Sequence, residues 1–186
     1  MKNNKLLIGI LAVFIGLILL LNNKIGAKSD TKQSFTQSSQ NDIVGSAVAI
    51  GKTAPDFSLT TLNKRTFRLS EKKGKTVILF GMAGWCGTCI PEGRVLTQVR
   101  KEYESRGVEV IGVAFTKGDN EDFLKEFRNL GTIDIPLSLD TDNVAYKYQL
   151  IKLETTYIIN KDGLIVYKDE QFTSYDDYKR ELDKIL

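Results

Sequence analysis

Cys86 and Cys89 are the only cysteines of this 186-residue chain, and just Gly87 and Thr88 separate them. Histidine is absent. That absence removes Ser-His-Asp and Cys-His catalysis and every metal site that relies on an imidazole. A structural zinc site takes four Cys or His ligands, so two cysteines cannot build one within a single chain. Redox exchange or a plain structural disulfide is what remains for the pair. Neither requires a metal or a cofactor.

The elements around the pair favour redox exchange. Thr76-Val77-Ile78-Leu79-Phe80 is a continuous apolar run, as expected of a strand buried on both faces. After Cys89, Leu96, Val99 and Tyr103 recur at helical spacing, and Gly107 ends the helix. Cys-x-x-Cys therefore sits between a buried strand and a helix start, where the helix N-terminus stabilises a thiolate. Cys86, nearer solvent, is expected to attack. Cys89, one turn inside, is expected to resolve the mixed disulfide. A static disulfide is the bland alternative, and a two-residue spacer in an accessible loop weighs against it. Glu92 follows Cys89 by three residues and shares its helical face. A carboxylate there would raise a cysteine pKa or relay a proton, whereas the ordinary reading is a solvated surface Glu.

Strand and helix signals alternate through the rest of the chain. Val108 to Phe115 is a second β-rich run. Phe123, Leu124, Phe127 and Leu130 mark a helix that Gly131 should stop. A short strand follows at Leu137 to Leu139, then a short helix at Asp142 to Gln149. Thr155 to Ile159 and Leu164 to Tyr167 flank Asn160-Lys161-Asp162-Gly163, which reads as a hairpin turn. Ser174 with Asp177 has the spacing of a capping box opening a last helix, with Tyr178, Leu182 and Ile185 on its buried face. The expected class is α/β.

Residues 1–50 differ in kind. Leu6 to Leu21 is an uncharged, apolar run of 16 residues, roughly 24 Å as a helix against about 30 Å for a hydrocarbon core. Its length and position favour an uncleaved signal-anchor at 1–21 over a cleaved signal, for which Ile25-Gly26-Ala27 is a poor site. Residues 22–50 are rich in Asn, Ser, Gln, Thr and Lys and read as a flexible tether, so the folded domain is expected over 51–186. The net charge of +3 lies wholly in residues 1–50, and the remainder balances 21 basic against 21 acidic residues. A neutral domain offers no concentrated basic face for nucleic acid.

At Ala83-Gly84-Trp85-Cys86-Gly87-Thr88-Cys89 the chain resembles the thioredoxin superfamily, in its membrane-anchored TlpA/ResA-like branch. Gly51-Lys52-Thr53-Ala54-Pro55-Asp56-Phe57-Ser58-Leu59 is similar to that branch's opening motif. Glu92 and Asp162-Gly163 match further positions of it. The resemblance spans roughly Gly51 to Leu186 and implies a thioredoxin-like fold, a central mixed sheet flanked by helices. It also implies that Trp85 shields the disulfide and shapes the partner surface, rather than serving as a core aromatic. The positions facing the disulfide, where a substrate chain would pair, fall on Glu154 and Thr155.

Three departures stand out. The spacer Gly87-Thr88 replaces the usual Gly-Pro or Glu-Pro. Arg94 occupies a position where proline is frequent, while Pro91 lies in the first helical turn, where its missing N–H costs little. Glu154 stands where the family places a cis-proline, and Pro136 is too early to replace it. A cis bond before a non-proline costs about 2.5–4 kcal/mol, so the Leu153–Glu154 bond is expected to be trans.

The function that these features imply is disulfide exchange with exported proteins by a bacterial, membrane-tethered, extracytoplasmic enzyme. The reducing direction is expected, with re-reduction by a membrane donor of the CcdA/DsbD type. Two alternatives stand beside it. A peroxiredoxin-like peroxidase shares the opening motif, but it needs Pro and Thr or Ser where this chain has Leu79 and Ala83. A thioredoxin-fold binding or chaperone module with weak catalysis is the reading that the missing cis-proline favours.

Overall fold

The computed structural model describes residues 48–186. The expected anchor and the tether as far as residue 47 lie outside the described residues. Among the described residues, no helix is long and apolar enough to cross a membrane.

A short hairpin, β1 (Ser58–Thr60) and β2 (Thr66–Arg68), precedes the main sheet. The sheet is built from β3 (Thr76–Met82), β4 (Val108–Ala114), β5 (Leu137–Leu139), β6 (Thr155–Ile159) and β7 (Ile165–Asp169), in the order β5-β4-β3-β6-β7. β3, β4 and β5 run parallel, while β6 and β7 are antiparallel to their neighbours. The helices are α1 (Cys89–Tyr103), α2 (Glu121–Gly131), α3 (Val144–Tyr148) and α4 (Tyr175–Asp183). This is the thioredoxin-like α/β arrangement with a mixed central sheet.

β3 reads as one apolar run because both faces are covered, and all seven of its residues are buried. Ile78, Phe80 and Met82 point to a core shared with Leu96 and Val99 of α1, Phe127 of α2 and Tyr178 of α4. Val77 and Leu79 point to the opposite core, with Phe57 and Leu59 near the β1–β2 hairpin and Tyr148 of α3. Period-two alternation on a pleated strand produces this division.

The local signals translate as expected at several points. Gly107 takes a left-handed conformation (φ 84°) after a short 3-10 turn. Asn160 accepts from the Asp162 and Leu164 amides inside the β6–β7 turn. The Ser174–Asp177 capping box is formed in both directions. Tyr178 and Leu182 are buried and Ile185 packs against the same core.

Other boundaries shift. β3 runs two residues further than Phe80. Gly131 does not stop α2. It is the last helical residue, and Thr132 caps the helix in the left-handed region (φ 54°). Gly131 is needed for a different reason: a Cβ there would stand 2.4 Å from the Ile133 side chain. Phe123 and Leu130, expected on the apolar face of α2, are 37% and 63% exposed. α3 is shorter than residues 142–149 because Asn143 and Gln149 at its ends both have positive φ. At the N-terminal limit, Val48 is buried in the second core and the Gly51 amide bonds the Ile165 carbonyl at 2.7 Å, so packed structure begins before Gly51.

Candidate active site

The loop between β3 and α1 coils before the helix starts. The Cys86 amide bonds the Ala83 carbonyl at 3.0 Å, and the Cys89 amide bonds the Cys86 carbonyl at 3.2 Å. That winding brings the two Cα atoms to 5.4 Å, and the cysteines form a disulfide. The Cys89 N–H, the first of α1, also donates to Cys86 Sγ at 3.1 Å. Thr88 Oγ1 lies 3.3 Å from the same sulfur. The positive end of the helix is thus aimed at Cys86, and it will favour negative charge there once the bond is reduced. Cys86 keeps 3% of its surface exposed and Cys89 none.

Trp85 is not a core aromatic: 57% of its surface is exposed. Its Nε1 donates to Thr116 Oγ1 at 3.0 Å. Thr116 in turn donates to Asp119 Oδ2 at 2.6 Å, and Asp119 Oδ1 accepts the Gly84 amide at 2.8 Å. The loop after β4 therefore clamps the loop after β3 from both ends. A Cβ on Gly84 would lie 2.7 Å from Phe123 Cβ, so glycine permits the approach of α2. Between them opens a cleft of about 200 Å³ lined by Trp85, Cys86, Ile90, Phe123, Glu126 and Leu130, among others. The exposure of Phe123 and Leu130 is explained by this cleft, which adjoins the disulfide.

Glu92 is fully buried, contrary to the ordinary expectation of a surface glutamate. Its Oε1 accepts from Tyr178 at 2.6 Å and from Thr156 at 2.9 Å. Burial pushes the carboxyl up to about 7, hydrogen bonds from Tyr178 and Thr156 and then the Thr173 backbone amide pull it partly back, and the nearby Glu154 charge raises it further. Glu92 thus keeps a proton well above the ordinary carboxyl range, on the helical face that it shares with Cys89.

Glu154 stands in the left-handed region (φ 63°), and its preceding peptide is trans. It is half-buried, and burial raises its pKa. Thr155 is buried, with its hydroxyl donated to the Lys152 carbonyl at 2.7 Å, so that hydroxyl is not offered to a substrate. Arg94 has a structural explanation. Its Nε and Nη2 donate to the Gly131 and Leu130 carbonyls at 3.0 and 3.2 Å, closing the C-terminal end of α2 onto α1.

Four residues of the site escaped the sequence reading: Thr116, Asp119, Thr156 and Tyr178. Tyr178 was visible only as an apolar-face position of α4. Thr116 and Asp119 had the composition of a turn, without anything to tie them to Trp85 or Gly84.

The family model described as AhpC/TSA family matches residues 50–168. The thiol-disulfide oxidoreductase ResA of Geobacillus kaustophilus (strain HTA426) is 32% identical over 140 residues, 75% of this chain and 79% of that protein. The thioredoxin-like protein YneN of Bacillus subtilis (strain 168) is 33% identical over 116 residues, 62% and 68% of the respective chains. Among solved structures, a putative thiol:disulfide interchange protein DsbE from Chlorobium tepidum aligns with a TM-score of 0.66 at 21% identity. That alignment covers 74% of this chain and 98% of that one, and shows a shared fold. With the disulfide, its strand–helix setting and these relatives together, the chain belongs to the AhpC/TSA family and is a thioredoxin-fold thiol–disulfide oxidoreductase of the ResA type.

Proposed function

We propose that the enzyme works in the reducing direction, outside the cytoplasm and tethered to the cell membrane, on cysteines of exported proteins. The observation that carries the direction is the buried Glu92 carboxyl on the helical face of Cys89, with Glu154 close by. A strong oxidant owes its potential to a stabilised reduced form. Carboxylates beside the pair act oppositely, because they disfavour a thiolate and leave the disulfide comparatively stable. Among the described residues, no lysine or arginine lines the cleft beside Cys86 to offset them. Glu154 also narrows the substrate range by repelling acidic segments.

The tether rests on the apolar Leu6–Leu21 run and the polar stretch that follows it. A reductant in that location needs electrons from the cytoplasmic side, and a CcdA/DsbD-type membrane donor fits that need. The cleft of Trp85, Ile90, Phe123 and Leu130 supplies an apolar seat for the substrate segment next to its cysteine. Ala83 offers no hydroxyl to a peroxide, which supports disulfide exchange over peroxidase chemistry.

Equilibrating the detergent-solubilised full chain with thiol–disulfide buffers tests the direction. The expected potential lies near that of thioredoxin, about −270 mV, and a value near the DsbA figure of about −120 mV would reverse the assignment.

A further inference from the structure

Glu92 Oε1 accepts two hydroxyl donors, from Tyr178 on α4 and Thr156 on β6, and those hydroxyls are themselves 2.9 Å apart. All three residues are fully buried. An oxygen that already accepts two O–H bonds has no well-placed lone pair for a proton of its own. Oε2 is buried too and has no hydrogen-bond partner among the described residues. A buried oxygen left unpaired loses its hydration without a compensating bond, so a glutamate that served the fold alone would be a poor choice here. The asymmetry makes the two oxygens chemically different: one is anchored, the other is free to gain or lose a proton.

We propose that Tyr178 and Thr156 are positioning residues for the redox reaction, holding Oε1 so that Oε2 of Glu92 is the oxygen that takes the Cys89 proton during resolution. This rests on the reading of Glu92 as the group that tunes the pair. In the reducing direction, the Cys86 thiolate attacks one sulfur of a substrate disulfide, forming a mixed disulfide and releasing the other substrate sulfur as a thiolate. The Cys89 thiol then passes its proton to Oε2 of ionised Glu92, and its sulfur attacks Cys86 Sγ. The Cys86–Cys89 bond forms and the mixed disulfide breaks. The substrate leaves with two electrons gained, and the cysteine pair is oxidised by the same two. The titratable groups facing Glu92 are Tyr178 from α4, Glu154 ahead of β6, and Cys89 on its own helix, which does not titrate while oxidised.

Infrared pH titration of the oxidised full-length protein in detergent reads the Glu92 carboxyl alone, its band assigned by loss in Glu92→Gln. Removing a donor destabilises the carboxylate, so Tyr178→Phe should move the midpoint up by about one unit. At pH 7 the same variant should slow release of a substrate trapped on Cys86 several-fold. Thr156→Val should act in the same direction, while Thr156→Ser, which keeps the hydroxyl, should restore both values. Leu182→Ala, equally buried in α4, should lower stability without moving the midpoint. A folded Tyr178→Phe with midpoint and release rate unmoved overturns the proposal, and Thr156→Val decides it in the same way if the tyrosine variant does not fold. Unchanged release in Glu92→Gln would instead remove the underlying role of Glu92 itself.

Discussion

Glu92 couples the chemistry of the site to the stability of the fold. Its folded pKa of about 7 exceeds the ordinary 4.5 because burial disfavours the charged form. Between those values the folded state binds more protons than the unfolded chain, so its contribution to stability falls as pH rises through this window. Below about 4.5 the residue is neutral in both states and imposes no ionisation cost. Above about 7 the full cost is present, on the order of 3 kcal/mol from the size of the shift. Glu92→Gln removes this term. Urea unfolding of the oxidised protein should therefore show the variant gaining on the parent as pH rises from about 4.5 to 7, with no further gain beyond. A stability difference that stays flat across that range would mean that Glu92 titrates normally.

At the scale of elements, the site depends on how three connections meet: β3 to α1, β4 to α2, and the approach to β6. The first two are locked together by Asp119, which takes the Gly84 amide, and by Thr116, which takes Trp85. Arg94 closes the far end of α2 onto α1. The third connection carries Glu154 at φ 63°, a conformation costing roughly 1–2 kcal/mol for a residue with a Cβ. Glycine relieves that strain but gives the unfolded chain more freedom. Glu154→Gly should accordingly be neutral or stabilise by up to about 1 kcal/mol. Glu154→Pro, which restores the family residue, should destabilise by more than about 1 kcal/mol, because the ring holds φ near −65°. Denaturant unfolding of both variants measures this, and a proline variant as stable as the parent would show that the approach to β6 rearranges freely.

At the scale of the whole molecule, the two cores on either side of the sheet differ in how they are closed. The α1, α2 and α4 side is covered by helices, whereas the other side is completed by the β1–β2 hairpin, α3 and the segment entering the domain. Val48 belongs to that second core and is only 4% exposed. A fragment of residues 48–186 should fold and show two thiols after reduction and none after mild oxidation. A fragment starting at Gly51 should fold as well, yet be weaker by about 1–2 kcal/mol for the lost apolar burial. Equal midpoints for the two fragments would place Val48 outside the core.

Features closed within a few residues are legible in the amino-acid order alone. The Cys86–Cys89 spacing at a strand–helix junction, the Asn160–Gly163 turn and the Ser174–Asp177 cap are each visible because their partners are at most four positions apart. Apolar periodicity likewise located β3, α1 and α4, since a buried strand or an amphipathic helix writes its environment into its own pattern. It misread Phe123 and Leu130, because exposure beside a cleft and burial in a core leave the same apolar residues at the same spacing. The surroundings of the disulfide, by contrast, come from long-range packing. Thr156 and Tyr178 reach Glu92 from 64 and 86 residues away, and Thr116 meets Trp85 across 31. Such contacts depend on strand order, register and helix packing together, and a lone threonine or tyrosine carries no local sign of the partner that the fold will bring to it.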